Sequence, residues 1–132
     1  MHAGTSRGNG LAFSAGAATF KLMREEKLWE QVEERGNFLR NTLKASKCKY
    51  IGDIRGLGLM LGVELIDPSK NGADGLPEAS KEICAQTQVE CLKRGLILEV
   101  GGRGGTVLKP LPPLIVTEST LLPNMCLTKT SG

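Results

Sequence analysis

The sequence predicts an α+β fold in which a short sheet carries helices packed on it. Three observations lead to this prediction. Apolar residues recur at helical spacing over the first third of the chain, and they alternate with a period of two in residues 57–65. The glycine-rich segment "GGRGG" then separates two short apolar runs, as in a β-hairpin. The predicted order of elements is helix, helix, strand, helix, strand, strand.

Two helices are predicted in the N-terminal third. The first begins at Leu11 and is rich in Ala and Gly, so it can approach a neighbouring element closely. After a charged break, a second helix turns Glu33, Glu34 and Arg40 toward water. Its apolar stripe consists of Leu28, Val32, Leu39 and Leu43, with Phe38 beside it. We expect this stripe to face the core.

A single strand is predicted in the segment "LGLMLGVEL". Alternation puts five apolar side chains on one face, namely Leu57, Leu59, Leu61, Val63 and Leu65. The other face carries Gly58, Met60, Gly62 and Glu64. The glycines indicate that another backbone packs closely on this second face. The polar segment that follows, "DPSKNGADGLP", is typical of an exposed connection.

A third helix is predicted to open at Pro77 and to run to about Arg94. Proline suits the first turn of a helix, and Gly95 suits the position just after its end. The side chains expected to point the same way are Ile83, Thr87 and Leu92.

The C-terminal part is predicted to form a hairpin followed by a tail. Residues 96–100 give the first strand, "GGRGG" the connection and "TVLK" the second strand. Thr117 and Glu118 resemble the start of a helix, a hydroxyl cap followed by an acid. Pro123 stands where the second turn would be, so residues 119–132 are expected to form a divergent, disordered tail.

Composition and charge exclude several classes of function. The 132 residues suit one domain, and 40% hydrophobic with 23% charged residues is ordinary for a globular protein. The net charge of +3 is small and interleaved, which argues against a nucleic-acid or acidic-membrane partner. No apolar run approaches the roughly 20 residues that span a bilayer, and no segment resembles a secretion signal.

The four cysteines predict reduced thiols and a cytoplasmic protein. Cys84 and Cys91 fall two turns apart on one face of the predicted helix, about 10 Å, which is too far for a disulfide. The remaining two are Cys48 and Cys126, and there is no CxxC pair and one histidine. These features argue against a zinc site.

Three segments resemble one enzyme family. "HAGTSRGNGLAFSAGAA", "IRGLGLMLGVEL" and "RGLILEVGGRGGTVLKPLPPLIVTE" are similar, in order and spacing, to segments of class III (fold type I) pyridoxal-phosphate-dependent aminotransferases. Within that family the diaminobutyrate–2-oxoglutarate aminotransferases are most similar. The resemblance covers residues 2–118 and implies the small C-terminal domain of that fold, preceded by a long helix from the domain junction.

The resemblance also implies a division of the chain. Residues 1–24 would hold the end of the large-domain and interface loop with the start of the linking helix. Residues 25–118 would form the small C-terminal domain, and residues 119–132 the divergent tail.

The glycine-rich loop before the first helix is implicated in cofactor binding. In the family the threonine matching Thr5 hydrogen-bonds the cofactor phosphate of the partner subunit, and Gly4 lies beside it. A hydroxyl, free backbone N–H groups and a following helix N-terminus all favour an anion. The alternative is a loop that merely caps the helix. One departure is Ser6, where the family often has an aromatic residue.

Two basic residues are candidates for binding substrate. Many members of the family have, at the position of Lys109, an arginine that grips a substrate carboxylate; a lysine keeps the charge but loses the two-pronged geometry. The alternative is a solvated lysine at a strand end. Arg103 in "GGRGG" either contacts substrate or stands on a turn, and we favour the turn. Arg55 is expected either to form an internal ion pair, with Glu64 as its simplest partner, or to bind the backbone.

The cofactor of this family is held by a lysine as a Schiff base and by an acid at its ring nitrogen, both in the large domain. No lysine of this chain stands in that context, so the resemblance implies a transaminase part that contacts pyridoxal phosphate without holding it covalently and is inactive alone. Its partners would be a second subunit or a full-length aminotransferase, a diaminobutyrate-like amino donor and 2-oxoglutarate. The alternatives are a non-catalytic domain that docks on a full-length subunit and, more weakly, a nucleic-acid binder using "SRGNG" and "GGRGG".

Overall fold

The computed structural model describes the backbone of residues 8–124 and the side chains of residues 8–121. The structure combines helices with an antiparallel sheet, which confirms the α+β prediction. In chain order the elements are α1 (Gly10–Glu25), α2 (Leu28–Ala45), β1 (Ile51–Leu57), β2 (Met60–Asn71), β3 (Pro77–Ala79), α3 (Lys81–Lys93), β4 (Glu99–Gly101), β5 (Val107–Lys109) and α4 (Glu118–Asn124).

The sheet is antiparallel and buries one face under α2 and α3. Its strand order is β1-β2-β5-β4, and β3 pairs with the far part of β2. In the register, Val63 lies between Ile54 of β1 and Leu108 of β5. The main core consists of Leu39, Leu43, Leu61, Val63, Leu65, Cys84, Cys91, Leu98 and Leu108. This arrangement confirms that the stripe of α2 faces the sheet.

Residues 57–65 form a hairpin, so the prediction of a single strand was wrong. The chain turns at Gly58, whose φ of +49° lies in the left-handed region, and β1 pairs with β2 on either side of that turn. Leu57 therefore belongs to β1 and is 77% exposed. The alternation holds for β2, where Leu61 and Leu65 are buried. Leu59, in the turn, is buried in a second cluster with Val116 and Leu121.

The third helix begins four residues later than predicted. Ala79 pairs with Ile66 of β2, so the segment from Pro77 is a strand. Ser80 then caps α3 by accepting a hydrogen bond from the backbone N–H of Ile83 at 3.3 Å. Gly95, with φ of +81°, follows the helix as predicted. The buried residues of α3 are Cys84 and Cys91. Ile83 and Thr87 are half-buried, whereas Leu92 is exposed, so Leu92 does not share their direction as predicted.

The C-terminal hairpin is confirmed, and the final helix forms against expectation. Strands β4 and β5 are paired and are joined by a turn in which Gly102, Gly104 and Gly105 have positive φ. Helix α4 spans Glu118–Asn124 despite Pro123. Its Leu121 packs into the second cluster, and this burial explains why the helix forms.

Helix α2 touches the β1–β2 turn backbone to backbone. A Cβ atom built on Gly36 would overlap the carbonyl group of Gly58. We expect Gly36→Ala to lower the free energy of unfolding by about 1–3 kcal/mol, because the turn or the helix must move. Gly16→Ala in α1, with open space around the new methyl group, is the matched control and is expected to add up to about 1 kcal/mol through helix propensity. Urea titrations of the two variants compare them, and changes of the same sign would contradict this contact.

Candidate functional site

The sheet face opposite the core carries Arg55, Glu64 and Lys109, three of the charged residues that sequence reasoning singled out. We call it the open face, defined by Asp53, Arg55, Glu64, Glu99 and Lys109. These residues alternate along their strands with core residues, so the pleat turns them away from α2 and α3. The open face is therefore the surface on which the predicted substrate contacts can act.

Arg55 forms an ion cluster with two carboxylates. Its Nη1 lies 2.8 Å from Asp53 Oδ2 and 3.0 Å from Glu64 Oε2. This confirms the predicted Arg55–Glu64 pair and adds Asp53, which was not predicted. The hydrogen bonds that Arg55 donates to Glu64 and Asp53 raise the pKa of Arg55, and the bond that Asp53 accepts lowers the pKa of Asp53. Because Arg55 already has two carboxylate partners, it is a poor candidate for binding the carboxylate of a substrate.

Lys109 ends β5 and forms an ion pair across the hairpin. It is the direct cross-strand partner of Glu99, and its Nζ lies 3.4 Å from Glu99 Oε2. The lysine stem passes over Gly101, where a Cβ atom would overlap it. The side chains of Lys109 and Glu99 are 39% and 56% exposed, so a solute can reach both charged ends.

Arg103 stands at the tip of the hairpin turn. Its neighbours Gly102 and Gly104 both have positive φ, near +80°, and the side chain is exposed. It has no hydrogen-bond or ion-pair partner among residues 8–124. This position agrees with a turn residue and gives no contact with Lys109.

Two arginines of α2 bind backbone carbonyl groups outside the helix, one in β1 and one in the segment after β5. Arg40 donates to the carbonyl of Gly56 at 2.7 Å, and Arg35 donates to the carbonyl of Leu114 at 2.5 Å. Arg40, which was predicted to face water, is half-buried and also binds the carbonyl group of Gly56. Such bonds cannot be predicted from the sequence, because every residue has a backbone carbonyl group and the accepting residue can be of any type. The segment after Lys109 is thus tied to α2 through Arg35.

The predicted phosphate contacts, Gly4 and Thr5, lie outside the described residues. Just after them, Asn9 Oδ1 accepts the backbone N–H groups of Leu11 at 3.0 Å and Ala12 at 3.3 Å, so α1 has its own cap. Across residues 8–121 no buried side-chain nitrogen or oxygen lacks a partner. No group of histidine, cysteine or acidic side chains that could hold a metal ion is found there either.

Helix α1 presents apolar side chains to solvent. None of its residues is buried, and Leu11 and Phe20 are 84% and 70% exposed. The ability of this Ala- and Gly-rich helix to approach a neighbouring element closely therefore stays a prediction. Within residues 8–124 no helix is long and apolar enough to cross a bilayer.

One cavity lies on the core side, away from the open face. Its volume is about 370 Å³, and its wall includes Cys48, Tyr50, Leu65, Ile83 and Cys91. Burial raises the pKa of the Cys91 thiol, as it does for Cys84, so both thiols stay protonated at neutral pH. The three described cysteines are free.

Comparison with known proteins gives consistent matches. The family model described as "Aminotransferase class-III" matches residues 1–126. The diaminobutyrate–2-oxoglutarate aminotransferase of Rhizobium meliloti is 44% identical over 128 residues, and that of Haemophilus influenzae 40% over 121 residues. These alignments cover 91% and 89% of this chain but 26% and 27% of the relatives. The acetylornithine aminotransferase of Elizabethkingia anophelis superposes with a TM-score of 0.75 at 25% identity, over 96% of this chain and 30% of that one.

Proposed function

This chain belongs to the class III aminotransferases, and we propose that it forms the C-terminal part of a transaminase. The proposed reaction moves the terminal amino group of a diaminobutyrate-like donor to 2-oxoglutarate. The observation that carries the proposal is the match over residues 1–126, together with 44% identity to a relative of that activity. Members of the family depend on pyridoxal phosphate, which accepts the amino group from the donor and passes it to the acceptor.

The contribution of this chain would be substrate orientation by Lys109. Its ammonium group is accessible on the open face and can bind a carboxylate of the donor or of 2-oxoglutarate. The Arg55 cluster would hold the neighbouring strands in place, since its charges satisfy one another. Arg103 would remain a turn residue at the edge of this surface.

The chain would act together with a large domain and, in the family's manner, within a dimer. We assign residues 1–24 to the interface loop and linking helix, residues 25–118 to the small domain and residues 119–132 to a divergent tail. The exposed apolar surface of α1 supports this proposal, because such a surface is stable when another domain covers it. A cytoplasmic location is proposed from the reduced cysteines.

The second candidate is a non-catalytic domain that docks on a full-length aminotransferase subunit. The same exposed helix favours it, since α1 could pack on another chain as well as on its own large domain. The two candidates differ in outcome when a large domain is fused to this chain. A transaminase part becomes active in the fusion, whereas a docking domain binds the full-length subunit and stays without activity.

We predict that the purified chain has no transaminase activity. The chain spans about a quarter of its relatives' length, 26% of the Rhizobium meliloti enzyme, and none of its lysines stands in the family's cofactor-binding context. Glutamate formation from diaminobutyrate and 2-oxoglutarate is measured with added pyridoxal phosphate, for the chain and for its fusion to the large domain of that relative. Activity of the purified chain above a control without protein would contradict the prediction.

A further inference from the structure

We infer that Glu99 and Lys109 act as a pair that recognises the α-amino-acid head of the amino donor. Lys109 would bind the α-carboxylate and Glu99 the α-ammonium group, which makes Glu99 a residue that determines donor specificity. The inference rests on the proposed function, in which Lys109 faces a substrate carboxylate. It adds a contact that no motif of the sequence indicates.

The geometry of the pair matches such a head group. Glu99 and Lys109 are direct cross-strand partners, so the antiparallel register holds both side chains on the open face. The two charged atoms are 3.4 Å apart. An α-amino acid bears its ammonium and carboxylate groups on one carbon atom, so their separation is of the same order. A ligand can therefore lie beside the pair with its carboxylate next to Lys109 and its ammonium group next to Glu99.

The pair is available to a ligand because it is exposed and weakly held. Both side chains are more than a third exposed, and an ion pair in water contributes little to stability, so a ligand with two charges can open it at small cost. The other acids of the open face are engaged, since Asp53 and Glu64 both bind Arg55. Among the described residues the partner of Glu99 is Lys109.

Gly101 leaves space for the end of the Lys109 side chain. The Cε and Nζ atoms of Lys109 lie where the Cβ atom of a residue at position 101 would be. Ala at this position would require this flexible end of the lysine to move. The cross-strand register of residues 99 and 109 is what brings the two charges together.

The pair would distinguish donors that share a terminal amine. In 2,4-diaminobutyrate the terminal amine reacts and the α-ammonium group remains free to bind Glu99. The compound 4-aminobutyrate has the same terminal amine and a carboxylate but lacks the α-ammonium group. With that donor, and with 2-oxoglutarate, Glu99 gains no partner and competes with the substrate for Lys109. Glu99 should thus favour diaminobutyrate and disfavour both other compounds.

The test uses a complete enzyme in which this chain replaces the matching C-terminal segment of the Rhizobium meliloti relative. Half-reactions with diaminobutyrate, 4-aminobutyrate and 2-oxoglutarate are followed separately for the parent, E99Q, E99D and E90Q. Glu90 is a matched acid on α3, paired with Lys93 away from the open face.

We expect E99Q to lower kcat/KM for diaminobutyrate about tenfold or more, mainly through KM, because a bond to a charged group is lost. The values for 4-aminobutyrate and 2-oxoglutarate should stay unchanged or improve, E99D should retain part of the preference, and E90Q should behave as the parent. An equal loss with both donors in E99Q would overturn the inference.

A second variant separates this inference from the proposed role of Lys109. If Lys109 binds the carboxylate, K109Q lowers kcat/KM for both donors. If K109Q changes kcat/KM for neither donor, the proposed role of Lys109 is wrong and the inference fails with it. A lower kcat/KM for both donors in K109Q, with no change of donor preference in E99Q, would overturn the inference about Glu99 and leave the proposed role of Lys109 intact.

Should the fusion not assemble, amide resonances of residues 99 and 109 in the 132-residue chain are titrated with both donors. Shifts that are larger for diaminobutyrate and are lost in E99Q support the pair, and equal shifts for the two donors overturn it.

Discussion

Replacing Leu61 with Ala is expected to lower the free energy of unfolding by about 2–5 kcal/mol. Leu61 lies in β2 and is only 3% exposed, within the main core beneath α2. The substitution removes its buried apolar surface and leaves a cavity that neighbours such as Leu39 and Leu43 can fill only in part. Equilibrium unfolding in urea, followed by circular dichroism, measures the loss.

Leu57→Ala is the matched control for this experiment. It makes the same chemical change three residues before β2 begins, but Leu57 is 77% exposed at the end of β1. We expect its effect to stay within about 0.5 kcal/mol. A loss below about 1 kcal/mol for Leu61, or equal losses at the two positions, would show that this hairpin does not have the register described here.

The pair of leucines also shows where sequence reasoning about this fold succeeds and fails. Alternation correctly identified the buried face of β2, because a pleated strand enforces a period of two. It missed the turn at Gly58 because a two-residue turn between strands can preserve the apparent alternation across it. A glycine tolerates the positive φ of such a turn, but it is equally compatible with a strand packed closely on a neighbour.

The boundary of the third helix had competing signals. Pro77 suits the first turn of a helix, yet it also suits the start of an edge strand, and pairing of Ala79 with Ile66 selects the strand. Ser80 is a good N-cap, so the true start was readable from local chemistry once the strand was known. In α4, burial of Leu121 outweighs the poor propensity at Pro123, and a tertiary contact of that kind has no local signature.

The sequence identified several charged residues of the candidate site, but it did not predict all of the contacts between them. Strand alternation placed Glu64 opposite the apolar face, and Arg55 was expected to pair with it. Lys109 was identified through the resemblance to the family. Glu99 was not identified, since its role depends on the register between β4 and β5, which is set by the hairpin connection. The exposed surface of α1 likewise depends on what is packed against it, and helix periodicity gives no information on that.

We expect Thr5→Ala to weaken cofactor retention about ten- to a hundredfold in a complete enzyme that contains this chain. The proposed role of Thr5 is a hydrogen bond to the phosphate group of pyridoxal phosphate across the subunit interface. A hydrogen bond to a charged group contributes roughly 1.5–3 kcal/mol, which corresponds to that loss of affinity. Thr5→Ser keeps the hydroxyl group and should be much milder. Each variant is dialysed against buffer without pyridoxal phosphate, and the cofactor that it retains is measured by absorbance.

The alternative role of Thr5, capping of the helix that follows, makes a different prediction. A capping residue would lower the melting temperature when changed to Ala and leave cofactor affinity unchanged well below that temperature. The first turn of α1 is already capped by Asn9, which accepts two of its backbone N–H groups. Asn9→Ala therefore serves as the control: it should reduce thermal stability by loss of the cap, and cofactor affinity should stay close to that of the parent. If Thr5→Ala behaves like Asn9→Ala, with lower stability and full cofactor retention, the phosphate contact is wrong and Thr5 is a structural residue of the loop.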